Sequence, residues 1–174
     1  MREKVSAEAI DRFMKALGRA GKTSTHIYFV GGVTAVLLGW RETTIDIDLK
    51  MVPEASEILK VLPDLKERLQ VNIELASPDD FIPALPGWEE RSIFIGRQGA
   101  IDFFHYDFYA QALAKIERGH NTDLLDVRRM IERGLIEPSR LLEFFLRIKD
   151  RLYEYPAIDA ESFHSAVQTF LNSL

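Results

Sequence analysis

The sequence predicts an α+β fold (α/β in the wider sense) in which helices flank a mixed β-sheet and a C-terminal helical layer follows it. Within the first 75 residues, short apolar segments alternate with amphipathic helical segments in the order β-α-β-α-β, after one initial helix. Two further apolar segments, RSIFIG and AIDFFHY, flank a glycine-containing turn as the strands of a hairpin do. From Asp107 onward the spacing of apolar residues is helical.

The N-terminal elements lead to a glycine pair. Ser6 is expected to cap the first helix, and Gly21 is expected to end it in a left-handed conformation. His26–Val30 then forms a short buried strand that runs into Gly31 and Gly32, and the following segment VTAVLLG is helical. The sequence therefore predicts a strand, a glycine turn and a helix in succession.

The second predicted strand carries paired acidic residues. Thr43–Met51 (TTIDIDLKM) alternates in polarity with the period of a strand, so Asp46 and Asp48 lie on one face. A helical segment follows, which Pro63 is expected to break, and Val71–Leu75 forms the third strand. Both carboxylates are thus expected side by side on the same surface of the sheet.

The second half is expected to begin with a loop rich in proline and to end in helices. Residues 77–90 form the loop and the hairpin follows it. We expect a core at residues 1–106, with the helical region 107–174 packed on it in one compact domain. The predicted helices are Phe108–Arg118, Thr122–Arg133, Pro138–Leu152 and Ala160–Leu171, with glycine stops at positions 119 and 134.

Composition excludes several classes of protein. The 174 residues suffice for one domain, and the absence of cysteine removes disulfides, thiolate zinc sites and cysteine nucleophiles. A formal net charge of -5 argues against broad binding of duplex DNA. The N-terminus lacks the apolar stretch of a secretory signal and no later segment reaches membrane-spanning length, so we expect a cytoplasmic protein without a membrane partner.

The paired carboxylates predict a metal site. Alternate acidic residues on one strand can hold Mg²⁺ or Mn²⁺, which prefer oxygen ligands and substrate phosphates. Taken alone, the pattern also fits an exposed strand with an acidic outer face. Thirteen residues separate Gly32 from Asp46, and the glycine turn before them would bring backbone N–H groups near a phosphate held by the metal.

The segment FVGGVTAVLLGWRETTIDIDL resembles the signature of the DNA polymerase beta-like nucleotidyltransferase superfamily, in which a Gly-Gly or Gly-Ser pair, a helix and an Asp-apolar-Asp motif follow one another. The resemblance implies that Gly31 and Gly32 line a nucleoside triphosphate. It also implies that Asp46 and Asp48 are catalytic and bind the metals that assist displacement at the α-phosphorus.

Further site residues are expected around this signature. Members of the superfamily usually add a third carboxylate on a later strand, and Glu74 is the candidate, because Asn72 on the same strand face cannot be a charged ligand; Asp102 is the reserve. Arg41 and Thr44 lie between the glycine turn and the acids, where a guanidinium could contact phosphate, although Arg41 also fits an ordinary surface arginine.

The second half resembles uncharacterised nucleotidyltransferase-like proteins related to the toxins of type IV toxin-antitoxin systems. The resemblance rests on a Lys-x-x-Arg element, Lys115 and Arg118, followed by Asp123 and Asp126. It implies a catalytic contact of Lys115 with phosphate, nucleotide binding by Arg118, and a neighbouring antitoxin partner. An ordinary solvated helix face remains the alternative.

Together these features predict a magnesium-dependent nucleotidyltransferase. It would transfer a nucleoside monophosphate from a nucleoside triphosphate to a hydroxyl or phosphate of an unknown acceptor, which could be RNA, protein or a small molecule. The alternative is a catalytically degenerate protein that binds nucleotide or a partner within a toxin-antitoxin or defence module, and Asn72 at the third-acid strand motivates it.

Overall fold

A computed structural model describes residues 2–174, and its contacts divide them into two units. The first unit comprises residues 2–77 and 92–106, and the second comprises residues 78–91 and 107–174. Residues 78–91 therefore group with the C-terminal helices. The single-domain organisation with a boundary at residue 106 stays a prediction.

The first unit contains three α-helices and all five named strands of residues 2–174. The helices and strands, in chain order, are α1 Ala7–Ala20, β1 Thr25–Val30, α2 Gly32–Leu37, β2 Asp46–Val52, α3 Ser56–Leu69, β3 Asn72–Leu75, β4 Ile93–Gln98 and β5 Ile101–His105. The predicted β-α-β-α-β order and the hairpin are both confirmed.

The strands form one mixed sheet in the order β3-β2-β1-β5-β4. β1 pairs with β2 in antiparallel register and with β5 in parallel register, while β3 runs parallel to β2. The hairpin strand β4 pairs antiparallel to β5 and contains an irregularity between Phe94 and Gly96. β1 is therefore the central strand, and β2 lies directly beside it.

The two faces of β2 differ in character because successive side chains point to opposite sides. Ile47 and Leu49 are fully buried in the core that α1 and α3 help to form. Asp46 and Asp48 are half-buried on the other face. The predicted alternation is confirmed from Asp46 onward, where it separates the hydrophobic core from the paired acids, but it was wrong for Ile45, which precedes the strand and is exposed.

Two local predictions about helix ends were wrong. Gly21 follows α1 with φ -83°, an extended conformation rather than a left-handed one, and its N–H donates to the carbonyl of Leu17. Pro63 does not break the third helix, which runs through it. The buried side chains Ile58 and Leu65 lie on either side of the exposed proline and hold both halves of α3 against the core.

The second unit is helical. Its α-helices are α4 Trp88–Arg91, α5 Phe108–Arg118, α6 Asn121–Glu132, α7 Pro138–Ile148 and α8 Ala160–Asn172, with 3₁₀ turns at Pro78–Asp80 and Lys149–Glu154. Gly119 and Gly134 adopt positive φ values of 74° and 70°, as expected of glycines that end helices. Phe144 contacts the ring of Tyr109, and Phe145 packs edge-on against Phe163.

The fold class is therefore confirmed as a mixed five-stranded sheet with helices, followed by a C-terminal helical layer. In residues 2–174, no helix combines the length and the apolar character needed to cross a bilayer.

Candidate functional site

The chain makes a sharp turn where β1 ends and α2 begins. Gly31 adopts φ 65° and ψ -122°, a conformation that residues with a Cβ rarely adopt, and it occupies the N-cap position of α2. The carbonyl of Gly31 accepts the N–H of Ala35 at 3.2 Å, which starts the helix. The backbone of this turn therefore requires glycine at position 31.

Gly32 is constrained by close packing instead of by its dihedral angles. A Cβ placed on Gly32 would overlap the hydroxyl of Thr44 and would lie 2.6 Å from the Cβ of Thr44. The same position is 3.4 Å from Nη1 of Arg41. The structure thus brings Arg41 and Thr44, two residues predicted from the sequence, against the glycine turn.

Backbone hydrogen bonds hold Thr44 in this place. The N–H of Thr44 donates to the carbonyl of Val5 at 2.9 Å, and the N–H of Val5 donates to the carbonyl of Thr44 at 2.7 Å. Val5 is completely buried. The chain just before Asp46 is therefore anchored to the N-terminal segment through the pairing of Thr44 with Val5.

Asp48 lies level with the glycine turn. It is the register partner of Val30, the last residue of β1, across the antiparallel pair. Its Oδ2 is 3.7 Å from the position that a Cβ on Gly31 would occupy. The absence of a side chain at Gly31 thus leaves room beside the carboxylate of Asp48.

Asp46 lies two residues before Asp48 on the same strand face, and β3 adds polar side chains next to both. Asn72 is the register partner of Asp46, and Glu74 is the register partner of Asp48. The Asn72 side-chain amide donates to Oδ1 of Asp46 at 2.7 Å and to Oε1 of Glu74 at 3.0 Å. Glu74 therefore lies beside the acidic pair, as expected of the third carboxylate, and its catalytic role stays a prediction.

The amide of Asn72 has a further partner from the N-terminus. Nη1 of Arg2 donates to Oδ1 of Asn72 at 2.7 Å, and Nη2 of Arg2 lies 3.0 Å from Oε1 of Glu67. Every polar atom of the Asn72 side chain thus has a partner among these residues.

The oxygen atoms of this site fit a hard divalent cation. Asp46 and Asp48 supply carboxylates on one strand face, and Mg²⁺ commonly binds through one or two carboxylates together with waters and substrate phosphates. Among residues 2–174, no three histidine or acidic side chains are arranged to hold a metal ion by themselves. The two carboxylates are therefore oxygen ligands of the type that Mg²⁺ prefers.

Asp102, the reserve candidate for a third carboxylate, is separated from the acidic pair. It lies on β5, on the far side of β1 from β2, and it is level with Val52. Two strand spacings, roughly 10 Å, therefore separate it from β2 across the sheet, in addition to the four residues along the strand between Val52 and Asp48. A bidentate hydrogen bond from Arg97 at 2.6 and 2.8 Å lowers the pKa of Asp102.

A buried polar pair supports the glycine turn from within the core of the first unit. The hydroxyl of Thr34, on α2, is 3.0 Å from Nδ1 of His105, at the end of β5. Both residues are buried, and desolvation lowers the pKa of His105 to about 4. The imidazole is therefore neutral at physiological pH and hydrogen bonds to the helix that follows Gly31.

The remaining predicted residues lie in the second unit, in a buried ion network. The ammonium of Lys115 donates to Asp123 at 3.1 Å and to Asp126 at 2.9 Å, and Arg118 makes two hydrogen bonds to Asp123 at 2.7 and 2.6 Å. Burial alone would raise the pKa of Asp123, but these hydrogen bonds and the Lys115 charge outweigh it and lower the pKa. The network joins α5 to α6, and the roles of Lys115 and Arg118 toward phosphate stay predictions.

Sequence reasoning missed two contributions to the site. Arg2 lies 70 positions from Asn72 and no local pattern connects them. The pairing of Thr34 with His105 spans 71 positions, and its one signal was a histidine at the end of an apolar strand. Both depend on how distant segments meet.

Comparison with known families supports the resemblance. Residues 7–164 match the family described as nucleotidyltransferase of unknown function (DUF6036). No curated protein and no solved structure matches the chain. The relation to toxins of type IV toxin-antitoxin systems stays a prediction. Because the match spans most of the sequence, including the glycine turn, the acidic strand and the helices up to the start of α8, the chain belongs to this family of nucleotidyltransferases of unknown function.

Proposed function

We propose that the protein is a magnesium-dependent nucleotidyltransferase that transfers a nucleoside monophosphate from a nucleoside triphosphate to a hydroxyl or phosphate acceptor. The observation that carries the proposal is the placement of Asp48 level with a turn that requires Gly31, with Arg41 and Thr44 against Gly32. Membership of a nucleotidyltransferase family supports the reaction class.

Each residue of the turn has a role in binding the triphosphate. Gly31 allows phosphate oxygens to approach the backbone closely because it carries no side chain, and Gly32, against which Thr44 packs, contributes its backbone N–H. The guanidinium of Arg41 contacts phosphate, and Thr44 shapes the wall behind Gly32 and offers a hydroxyl. These contacts orient the α-phosphorus for in-line attack.

Asp46 and Asp48 would hold Mg²⁺ or Mn²⁺ with the triphosphate. The bound ion would neutralise charge that develops on the phosphates during the displacement. Glu74 orients the acceptor group beside Asp48, since it lies at the same level of the sheet on β3. The resemblance alone supports the proposed phosphate contacts of Lys115 and Arg118, and within the second unit both side chains are paired with Asp123.

The proposal also covers the acceptor of the nucleoside monophosphate and the cellular compartment. RNA, a protein or a small molecule could supply the attacking hydroxyl or phosphate, and the formal net charge of -5 disfavours extended duplex DNA. We propose that the reaction takes place in the cytoplasm.

Calorimetric titration of the four nucleoside triphosphates with magnesium tests the proposal. Wild-type protein is expected to bind at least one triphosphate, and the double variant Asp46→Asn, Asp48→Asn is expected to lose this binding. The matched control is Asp64→Asn, which removes an exposed acid on α3 of the same unit and is expected to bind as wild type does. Equal binding by wild type and the double variant would contradict the proposed site.

Transfer itself is measured with an α-³²P-labelled triphosphate and cellular RNA or protein as acceptor. Label in the acceptor fraction that depends on magnesium and on the two aspartates is the expected result. Release of inorganic phosphate without labelled acceptor would point to hydrolysis instead.

A second candidate function follows from Asn72. It stands next to Asp46, near where members of the superfamily usually place a third carboxylate, and it is hydrogen-bonded to Asp46 at 2.7 Å. A neutral amide there favours a catalytically degenerate protein that binds nucleotide or a partner, such as an antitoxin of a toxin-antitoxin or defence module. In that case the Asp46→Asn, Asp48→Asn variant would retain partner binding while no labelled acceptor forms in wild type.

A further inference from the structure

We infer that Asn72 replaces a second cation, so that the site binds one divalent ion and binds it together with the triphosphate. The nucleotide part of this inference rests on the proposed function. Asn72 would then set the number of metal ions that the site binds.

The amide of Asn72 bridges two acidic side chains. Its nitrogen, Nδ2, carries two hydrogen atoms, and it donates one to Asp46 Oδ1 at 2.7 Å and one to Glu74 Oε1 at 3.0 Å. A divalent cation between two carboxylates would satisfy the same oxygen atoms. The two hydrogen bonds of the neutral amide thus satisfy the carboxylate oxygen atoms that a cation would otherwise bind.

Arg2 fixes the direction in which this amide points. The guanidinium donates to Asn72 Oδ1 at 2.7 Å and is itself paired with Glu67. If the amide were rotated by half a turn, its oxygen would face two carboxylates and its nitrogen would face the guanidinium, so like groups would meet at both ends. The orientation with the nitrogen toward Asp46 and Glu74 is therefore the stable one.

The hydrogen atoms of the Asn72 amide carry partial positive charge and therefore repel a cation from the space into which they point. The bridge therefore keeps an ion from the space between Asp46 and Glu74, and it leaves the Asp48 carboxylate and the rest of the Asp46 carboxylate as protein ligands. Mg²⁺ demands about six ligands in octahedral geometry, so two carboxylates hold it weakly without phosphate oxygens. In agreement, no three acidic or histidine side chains of residues 2–174 form a metal cluster.

Metal binding without nucleotide tests the role of Asn72 directly. Mn²⁺ is titrated into protein alone, and the free ion is followed by electron paramagnetic resonance. Wild type is expected to bind Mn²⁺ weakly. Asn72→Ala removes the N–H groups that keep the ion out and is expected to bind it more tightly than wild type. Asn72→Asp is expected to bind one ion at least about tenfold more tightly than wild type, because it also adds a charged ligand between the acids. Adding Asp46→Asn to the Asn72→Asp variant is expected to remove the gain.

Metal stoichiometry with nucleotide is compared between wild type and Asn72→Asp. Mn²⁺ is titrated in the presence of equimolar α,β-methylene analogues of ATP, CTP, GTP or UTP, which resist attack at the α-phosphorus. One ion per protein is expected for wild type and two for Asn72→Asp. Two ions in the wild-type complex, or no gain in affinity for Asn72→Ala over wild type, would overturn the inference.

The two proposals fail in different ways. If none of the four analogues binds to wild type, the proposed function fails, and the titrations without nucleotide still decide the role of Asn72. If an analogue binds with two Mn²⁺ ions, the proposed function stands and the inference about Asn72 falls.

Discussion

Lowering the pH from 7 to 4.5 is expected to destabilise the protein because His105 is buried in its neutral form. Desolvation lowers the pKa of this imidazole from 6.5 to about 4, and its Nδ1 is 3.0 Å from the Thr34 hydroxyl. Between these two pKa values the unfolded chain binds a proton that the folded chain does not. The contribution of His105 is therefore fully present above pH 6.5 and is lost as the pH falls toward 4.

The size of the effect follows from the shift in pKa. One unit of pKa corresponds to about 1.4 kcal/mol, so the shift of His105 removes about 3 kcal/mol of the free energy of unfolding once the pH reaches the folded-state pKa. Domains of this kind commonly have total stabilities of about 5–15 kcal/mol. A loss of this size is measurable by urea denaturation.

The variant His105→Asn separates this group from other acid-sensitive groups. The asparagine amide can still reach the Thr34 hydroxyl but does not titrate, so the difference in unfolding free energy between wild type and variant is expected to change by up to about 1.4 kcal/mol per pH unit between pH 6 and pH 4.5. The variant Thr34→Val is the matched control. It removes the hydrogen bond at a cost of about 1 kcal/mol but is expected to keep the wild-type pH slope, because the buried imidazole remains.

Equal pH slopes for wild type and His105→Asn would refute the reasoning. That result would mean that the imidazole is solvated or charged in the folded protein. A loss of the slope in Thr34→Val would instead assign the pH dependence to the hydrogen bond and not to burial.

Two further predictions concern stability, both measured as the free energy of unfolding in urea. Gly32→Ala is expected to cost about 1–3 kcal/mol, because the new Cβ would overlap the side chain of Thr44. In the control Gly96→Ala the new Cβ meets open space, and the free energy of unfolding is expected to change by less than about 0.5 kcal/mol. Equal effects of the two substitutions would contradict the packing argument. Lys115→Met is expected to cost about 3–5 kcal/mol, because it leaves two buried aspartates without their shared ammonium. The control is Lys15→Met, which removes the exposed ion pair between Lys15 and Asp11 on α1 and is expected to cost at most about 1 kcal/mol. Similar losses for Lys115→Met and Lys15→Met would show that the buried ion pairs contribute no more than an exposed one.

The local sequence predicted most elements of the first unit because their signals lie within a few residues. Alternation along β2 placed Asp46 and Asp48 on one face, and the Gly31-Gly32 pair marked the turn. Local signals failed at Pro63, which the sequence predicted to break a helix that packing of Ile58 and Leu65 maintains.

The number of cations inferred for the site depends on contacts of Asn72 that no sequence pattern predicts. The sequence shows that Asn72 cannot be a charged ligand, but its bridge to Asp46 and Glu74 depends on the parallel register of β2 and β3. The direction of its amide depends on Arg2, which lies 70 positions away.

The sequence by itself determined the α+β fold class, the glycine turn and the acidic strand, since each follows from periodicity or from backbone restrictions within a short segment. The tertiary structure alone decided what surrounds them: the closeness of Thr44 to Gly32, the Thr34–His105 pair and the hydrogen bonds of Asn72. The physical reason is that strand register and the packing of distant segments fix these contacts, and neither leaves a local pattern along the chain.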